Sequence, residues 1–163
     1  MISLIILGII FLYAIISYNT LTRKRNNVDN AFGSIDVMLK KRFDLIPNLV
    51  ATVQQYAKHE EETFTKITNL RTKSYDSLTA EEKADFDKTF TAAKNNFFMV
   101  AENYPALRSS ENFMQLQKTL NETEEQLSAS RRTYNAAVTD YNNSVMTFPS
   151  NIIANLFLSL IHI

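Results

Sequence analysis

No charged side chain occurs before Arg23: the opening run MISLIILGIIFLYAIISYNTLT is uncharged and made largely of Ile, Leu, Phe and Tyr. At about 1.5 Å per helical residue the run is roughly 33 Å long, enough to cross a hydrocarbon core. It predicts a transmembrane helix over residues 1–22, with the lipid bilayer contacted through residues 2–22 and nearly all the mass on one side. A cleavable secretory signal also has an apolar stretch, but it wants a basic n-region and a small-x-small cleavage site, and neither is present. No Lys or Arg precedes the segment, whereas Arg23, Lys24 and Arg25 follow it at once and Lys40, Lys41 and Arg42 come soon after. The positive-inside rule then places the N-terminus outside and the remainder in the cytoplasm. The Arg23 to Arg25 cluster reads as a solvated helix face that, at a membrane edge, also favours anionic lipid head groups.

About 140 residues remain behind the span, a usual length for one domain. Only 2 Gly and 3 Pro occur in 163 residues, which argues for long uninterrupted helices over a sheet with many turns. The 17 basic residues balance 17 acidic ones, so no global field draws the chain to nucleic acid. The absence of Cys excludes disulfides, thiolate nucleophiles and Cys-ligated metals together, and fits a reducing compartment.

Apolar spacing of three and four continues beyond the anchor through Val28, Phe32, Ile35, Leu39 and Phe43, with no Gly or Pro cluster between. The span and the first cytoplasmic helix are therefore expected to be one rod to about Phe43, roughly 60 Å long with half of it in lipid. Asp44 is a candidate N-cap, with Pro47 in the first turn of a second helix. That helix carries Ile46, Leu49/Val50, Val53, Tyr56/Ala57, Phe64, Ile67 and Leu70, and ends in the polar segment 72–77. Thr79-Ala80-Glu81-Glu82 has capping-box spacing and opens a third helix near Ala80 with Phe86, Phe90, Phe97 and Val100, ended by Pro105. Ser109 or Ser110 caps a fourth, with Phe113, Leu116, Leu120, Leu127, Tyr134, Ala137/Val138, Tyr141, Val145 and Phe148 at heptad-like spacing. The expected fold is all-α: a transmembrane helix continuous with the first helix of an up-down-up-down four-helix bundle. An extended coiled coil is the alternative, and the Phe and Tyr content favours the thicker core. In the bundle, helix four returns beside helix one, with Phe148-Pro149 close to the head groups.

Motifs for chemistry are scarce. His59-Glu60-Glu61-Glu62 lacks the second His, four residues on, of a helical zinc site, and reads as a solvated acidic patch. The two glycines, Gly8 and Gly33, form no phosphate loop. Glu122, Glu124 and Glu125 have no His partners for a carboxylate-bridged diiron site. No catalytic residue, metal ligand or cofactor site is expected, and no cofactor. The pair Tyr-Asn recurs at Tyr18-Asn19, Tyr134-Asn135 and Tyr141-Asn142, and the last two share a helix face. An antiparallel return of helix four brings Asn135 and Asn142 toward Asn26, Asp29 and Asn30. These residues read either as interhelical hydrogen bonds that fix register or as a polar face near the bilayer for a partner. The same choice applies to Asp36, Lys40, Arg42, Arg131 and Arg132, which can pair between helices one and four.

The run NNVDNAFGSIDVMLKKRFDLIPNLVATVQQYAKHE (Asn26 to Glu60) resembles the signature of the LemA family, small bacterial proteins with an N-terminal membrane helix and a helical cytoplasmic domain. AENYPALRSSENFMQLQ (Ala101 to Gln117), TEEQLSASRRTYNAAVTDYN (Thr123 to Asn142) and FPSNIIANLF (Phe148 to Phe157) resemble later blocks of that family in the same order. Phe32 stands where the family usually has Trp, and Met38 where it often has Gln. The resemblance implies a helical domain over residues 23–157 and a single pass through a bacterial inner membrane. It implies no enzymatic activity.

Two functions from different classes are compatible with these features. One is a non-catalytic, membrane-anchored interaction or scaffold module with a protein partner. The other is a membrane-bound enzyme or a dedicated subunit of one. A scarcity of candidate acid, base and nucleophile groups favours the first. Residues 158–163, Leu158-Ser159-Leu160-Ile161-His162-Ile163, depart from the family pattern and match in-frame translation of a sequencing-library adaptor, CTGTCTCTTATACACATC. They are expected to be a non-native tail; a genuine apolar tail in the membrane interface is the alternative. Resequencing the locus should show a different reading after codon 157, and a native stop codon after Ile163 would refute the adaptor origin.

Overall fold

The computed structural model describes residues 2–56, 65, 67–70 and 73–157. Regular structure among them is helical, with no strand: α1 Ile2–Asp44, α2 Ile46–Tyr56, α3 Ala80–Ala101, α4 Pro105–Arg108, α5 Glu111–Met146 and α6 Ser150–Phe157, with a 3-10 turn at Tyr75–Ser77. The expected all-α class and the long apolar N-terminal helix are both present. His59, Ala57, Phe64, the expected end of helix two at Thr72 and the tail 158–163 lie outside the described residues.

α1 is a single helix of 43 residues, and along its first four turns Ile, Leu and Phe are exposed on every side. A helix apolar all round has no face to turn toward water, so this stretch requires lipid or a protein cover. It is the one helix among the described residues long and apolar enough to cross a membrane.

The described chain divides into two compact units, one running to Ile35 and resuming at Ser128, the other from Asp36 to Leu127. In the first, Leu21 and Val28 of α1 close on Val138, Tyr141 and Val145 of α5 and Ala154 of α6, flanked by Tyr134, Ala137 and Ile153. The spacings of seven on α1 and of three and four on α5 put these residues on facing stripes. α5 runs antiparallel to α1 here: Lys24 Nζ meets Asp140 Oδ1 at 2.8 Å, while Phe32 meets the ring of Tyr134 at 5.9 Å between centroids.

In the second unit the core is aromatic. Phe43, Tyr75, Phe86 and Phe90 form one chain of tilted rings, and Phe97, Phe98 and Phe113 a second. Thr79 and Glu82 make the reciprocal capping box that opens α3, an arrangement worth about 1 kcal/mol. Ser110 Oγ accepts from Phe113 N at 3.3 Å and begins α5.

Four expectations change. Asp44 is the last residue of α1 and not a cap, because Leu45 alone joins α1 to α2 and its carbonyl accepts from Asn48 N and Leu49 N, both at 3.1 Å. The joint does not turn the chain back. Lys41 and Arg42 of α1 meet Gln126 and Glu124 of α5, and Asn48 to Gln55 of α2 then follow the same helix down past Thr119 to Asn112. Pro105 opens α4 where it was expected to close helix three, a role suited to a residue without a backbone N–H. Phe148, expected on the apolar stripe of helix four, lies past the end of α5 and is exposed.

Candidate functional site

The polar residues singled out in the sequence fall into two groups, one in each unit. In the first unit Asn26, Asp29 and Asn30 of α1 and Asn135, Arg131 and Arg132 of α5 are exposed, and Asn142 is half-buried. The seam between the helices is filled by the apolar cluster of Leu21, Val28, Val138, Tyr141 and Val145. Asn26 and Asn30, about half a turn around α1 from Val28, lie on the face turned away from that seam, and Asn135 flanks it on α5. Arg132 Nη1 donates to Ser128 Oγ one turn back at 2.9 Å. The half-exposed Phe32 stacks on Tyr134, next to Asn135, and adds an apolar element to this otherwise polar surface.

Asp36 and Arg42 belong to the second unit. Asp36 Oδ1 accepts from Lys83 Nζ and from Tyr75 Oη, each at 2.7 Å. The Lys83 ammonium holds the Asp36 carboxyl below its usual range, against partial desolvation that pushes it upward, and the Tyr75 hydroxyl adds to the lowering. Burial, then the bond to Asp36, raises Tyr75 above its ordinary value. Lys83 Nζ also sits 4.7 Å from the Tyr75 ring centroid, a cation–π contact. Lys40 pairs with Asp76 at 2.8 Å on the surface, where such a pair contributes little.

Arg42 is the largest fully buried side chain among the described residues, 2% exposed. Its guanidinium bonds Asp87 of α3 and Glu124 of α5 and lies 5.6 Å over the Phe90 ring. Lys94 Nζ reaches Glu124 Oε2 at 2.9 Å. Two cations and two carboxylates from α1, α3 and α5 thus neutralise one another. Burying a guanidinium is tolerable only with such paired, hydrogen-bonded partners.

Sequence reasoning missed the partners Asp87, Lys94 and Glu124, because nothing in linear spacing ties α1 to α3. It also missed a groove of about 380 Å³ lined by Asn48, Thr52 and Gln55 of α2 and by Asn112, Gln115 and Thr119 of α5. Their spacings of three and four mark a polar stripe on each helix, a signal present in the sequence. The groove is rich in side-chain amides and hydroxyls, and none of the described residues that line it is charged. Among the described residues no group of three or more His, Asp or Glu side chains is placed to hold a metal ion.

Similarity to known proteins bears directly on this arrangement. The LemA family model matches residues 31–159. The chain belongs to the LemA family. It is 28% identical over 153 residues to Protein LemA of Metamycoplasma hominis, covering 91% of this chain and 68% of that protein. Magnetosome proteins MamQ 1 and MamQ 2 of Paramagnetospirillum magneticum are each 23% identical over 163 residues, covering 84% of this chain and 60% of theirs. The chain thus spans about two thirds or less of the length of these relatives.

Two outcomes are expected in urea unfolding followed by circular dichroism on the full chain in detergent. Asp87→Ala, which leaves the buried guanidinium of Arg42 half-paired, should lower stability by about 2 to 3 kcal/mol; a change within about 0.5 kcal/mol would show the pairing to be incidental. The second concerns acid. Because the folded carboxyl of Asp36 is lowered, its contribution is present above the unfolded value and lost as pH falls through the folded one. The stability gap between the parent and Asp36→Asn should therefore shrink as pH drops from about 5 toward about 2, and a gap constant across that range would refute the assignment.

Proposed function

We propose that this LemA-family chain is a membrane-anchored, non-catalytic interaction module, held in the bacterial inner membrane with its N-terminus outside and its helical part cytoplasmic. The observation that carries this reading is the continuity of α1: an uncharged, outwardly apolar stretch runs without a break into the seam of the first unit. Asn30 then stands about 12 Å along the helix beyond Thr22, at a height set by the anchor. Asn26, Asp29, Asn30, Phe32 and Asn135 present amides, one carboxylate and a partly exposed ring. Phe32 and Asn135 at the edge of the seam, with Asn26 and Asn30 on the far side of α1, offer polar groups for orientation and an aromatic anchor to a protein that embraces the helix pair. The relatives named for the magnetosome support a localised role over a freely diffusing one.

Photo-crosslinking amino acids placed at Asn30 and at Asn135, with Met99 on α3 as an exposed reference, test the reading in native membranes. Positions 30 and 135 should give the same reproducible adduct and position 99 should not. Identical bands from all three positions, or none from 30 and 135, would sink it.

A further inference from the structure

Charge stops at the same level on both helices of the first unit. On α1 the first charged residue is Arg23, and on α5 the last is Asp140, with no Asp, Glu, Lys or Arg over 141–157. The Lys24–Asp140 ion pair, at 2.8 Å, ties these two boundaries together. Beyond it, α1 passes into its apolar span and α5 passes to the corner before α6, both without a charge. That corner lies alongside the span: Thr147 and Ser150 line a groove of about 340 Å³ with Tyr13, Ser17 and Thr20. Ser17 is 7% exposed, and its Oγ has no hydrogen-bond partner. An uncharged corner lined by hydroxyls, level with the last turns of a membrane span, has the composition of the layer between hydrocarbon and water.

Large apolar side chains face outward from this corner. Phe148 is 75% exposed, Ile152 53% and Leu156 70%. Ile152 and Leu156, four apart, share one face of α6, while Ala154 is buried against the cluster of Leu21, Val28 and Val145. α6 is thus apolar on the face that packs and on a face that does not. An apolar row on the unpacked side, flanked by Asn151 and Asn155, is the pattern of a helix lying between hydrocarbon and water, and continuity with the span names the cover.

We propose that the Phe148 corner and α6 rest in the interfacial layer of the same bilayer that α1 crosses, with Phe148, Ile152 and Leu156 among the lipid acyl chains. This rests on the anchor reading above. A helix lying in the interface beside a helix crossing it gives the protein two lipid contacts. Together they fix the rotation of α1 about its own axis, and so the direction in which the asparagine face points.

The chain has no Cys, so single cysteines report without background. Phe148→Cys, Ile152→Cys and Leu156→Cys, each labelled with an environment-sensitive fluorophore, are placed in the full chain reconstituted into phosphatidylcholine–phosphatidylglycerol vesicles. Lipids carrying a nitroxide on the acyl chain serve as quenchers. Leu12→Cys in the span is the lipid reference, and the exposed Met114→Cys on α5 is the aqueous one. The three corner labels should emit at shorter wavelength and be quenched about two-fold or more relative to position 114. Quenching equal to that at position 114 would overturn the proposal. So would blue-shifted emission without quenching, which would mean that protein, a second copy included, covers the corner. With position 12 quenched, such results defeat this proposal alone; with position 12 also unquenched, the anchor fails with it.

Discussion

A helix apolar on all sides can be satisfied only by surroundings as apolar as itself, and the first turns of α1 impose that condition on the whole chain. The same helix, without interruption, supplies one wall of the first unit's core through Leu21 and Val28. Amphipathic packing therefore begins where all-round apolarity ends, with Ser17 and Leu21 already buried ahead of the cluster Arg23-Lys24-Arg25. Lys24 serves both sides of that transition, as one of the charges that end the apolar stretch and as the partner of Asp140 and Ser144 across the seam.

Specificity in the second unit comes from a different source. Phe43, Tyr75, Phe86 and Phe90 supply bulk and dispersion, but aromatic packing alone tolerates several registers. Arg42 does not, because its guanidinium must find Asp87 and Glu124 together. A shift of one turn on α3 or α5 would strand a buried charge, and the cost of that far exceeds the net worth of the pair. The tie of Asp36 to Lys83 and Tyr75 adds a weaker constraint of the same kind, partly screened by solvent.

The long apolar N-terminal helix, the all-helical class, the capping box at Thr79 and most of the buried stripe positions were legible in the sequence, because each is written in local spacing. The joint at Leu45 was not. Pro47 falls in the first turn of α2 as its missing N–H suggests, but Asp44 closes α1 instead of capping α2, and a start signal carries no information about the angle between successive helices; here α2 follows the same partner helix as the end of α1. Antiparallel pairing alone suggested Asn26, Asn30 and Asn135 as neighbours, while the outward, exposed placement of each depended on which residues fill the seam. Arg42 was visible as a candidate for pairing with α5. Its burial and its bond to α3 were not, since they arise from contacts 45 residues apart in the chain.

The seam of the first unit also sets an order in time. Lys24 and Asp140 are 116 residues apart, and at ribosomal rates that separation is on the order of 10 s of synthesis. α1 is made while its partner is still untranslated, so Leu21 and Val28 stay uncovered by that partner until α5 and α6 emerge. The stripe is covered when Val138, Tyr141 and Val145 arrive, which makes closure of the seam a late event in the protein's assembly.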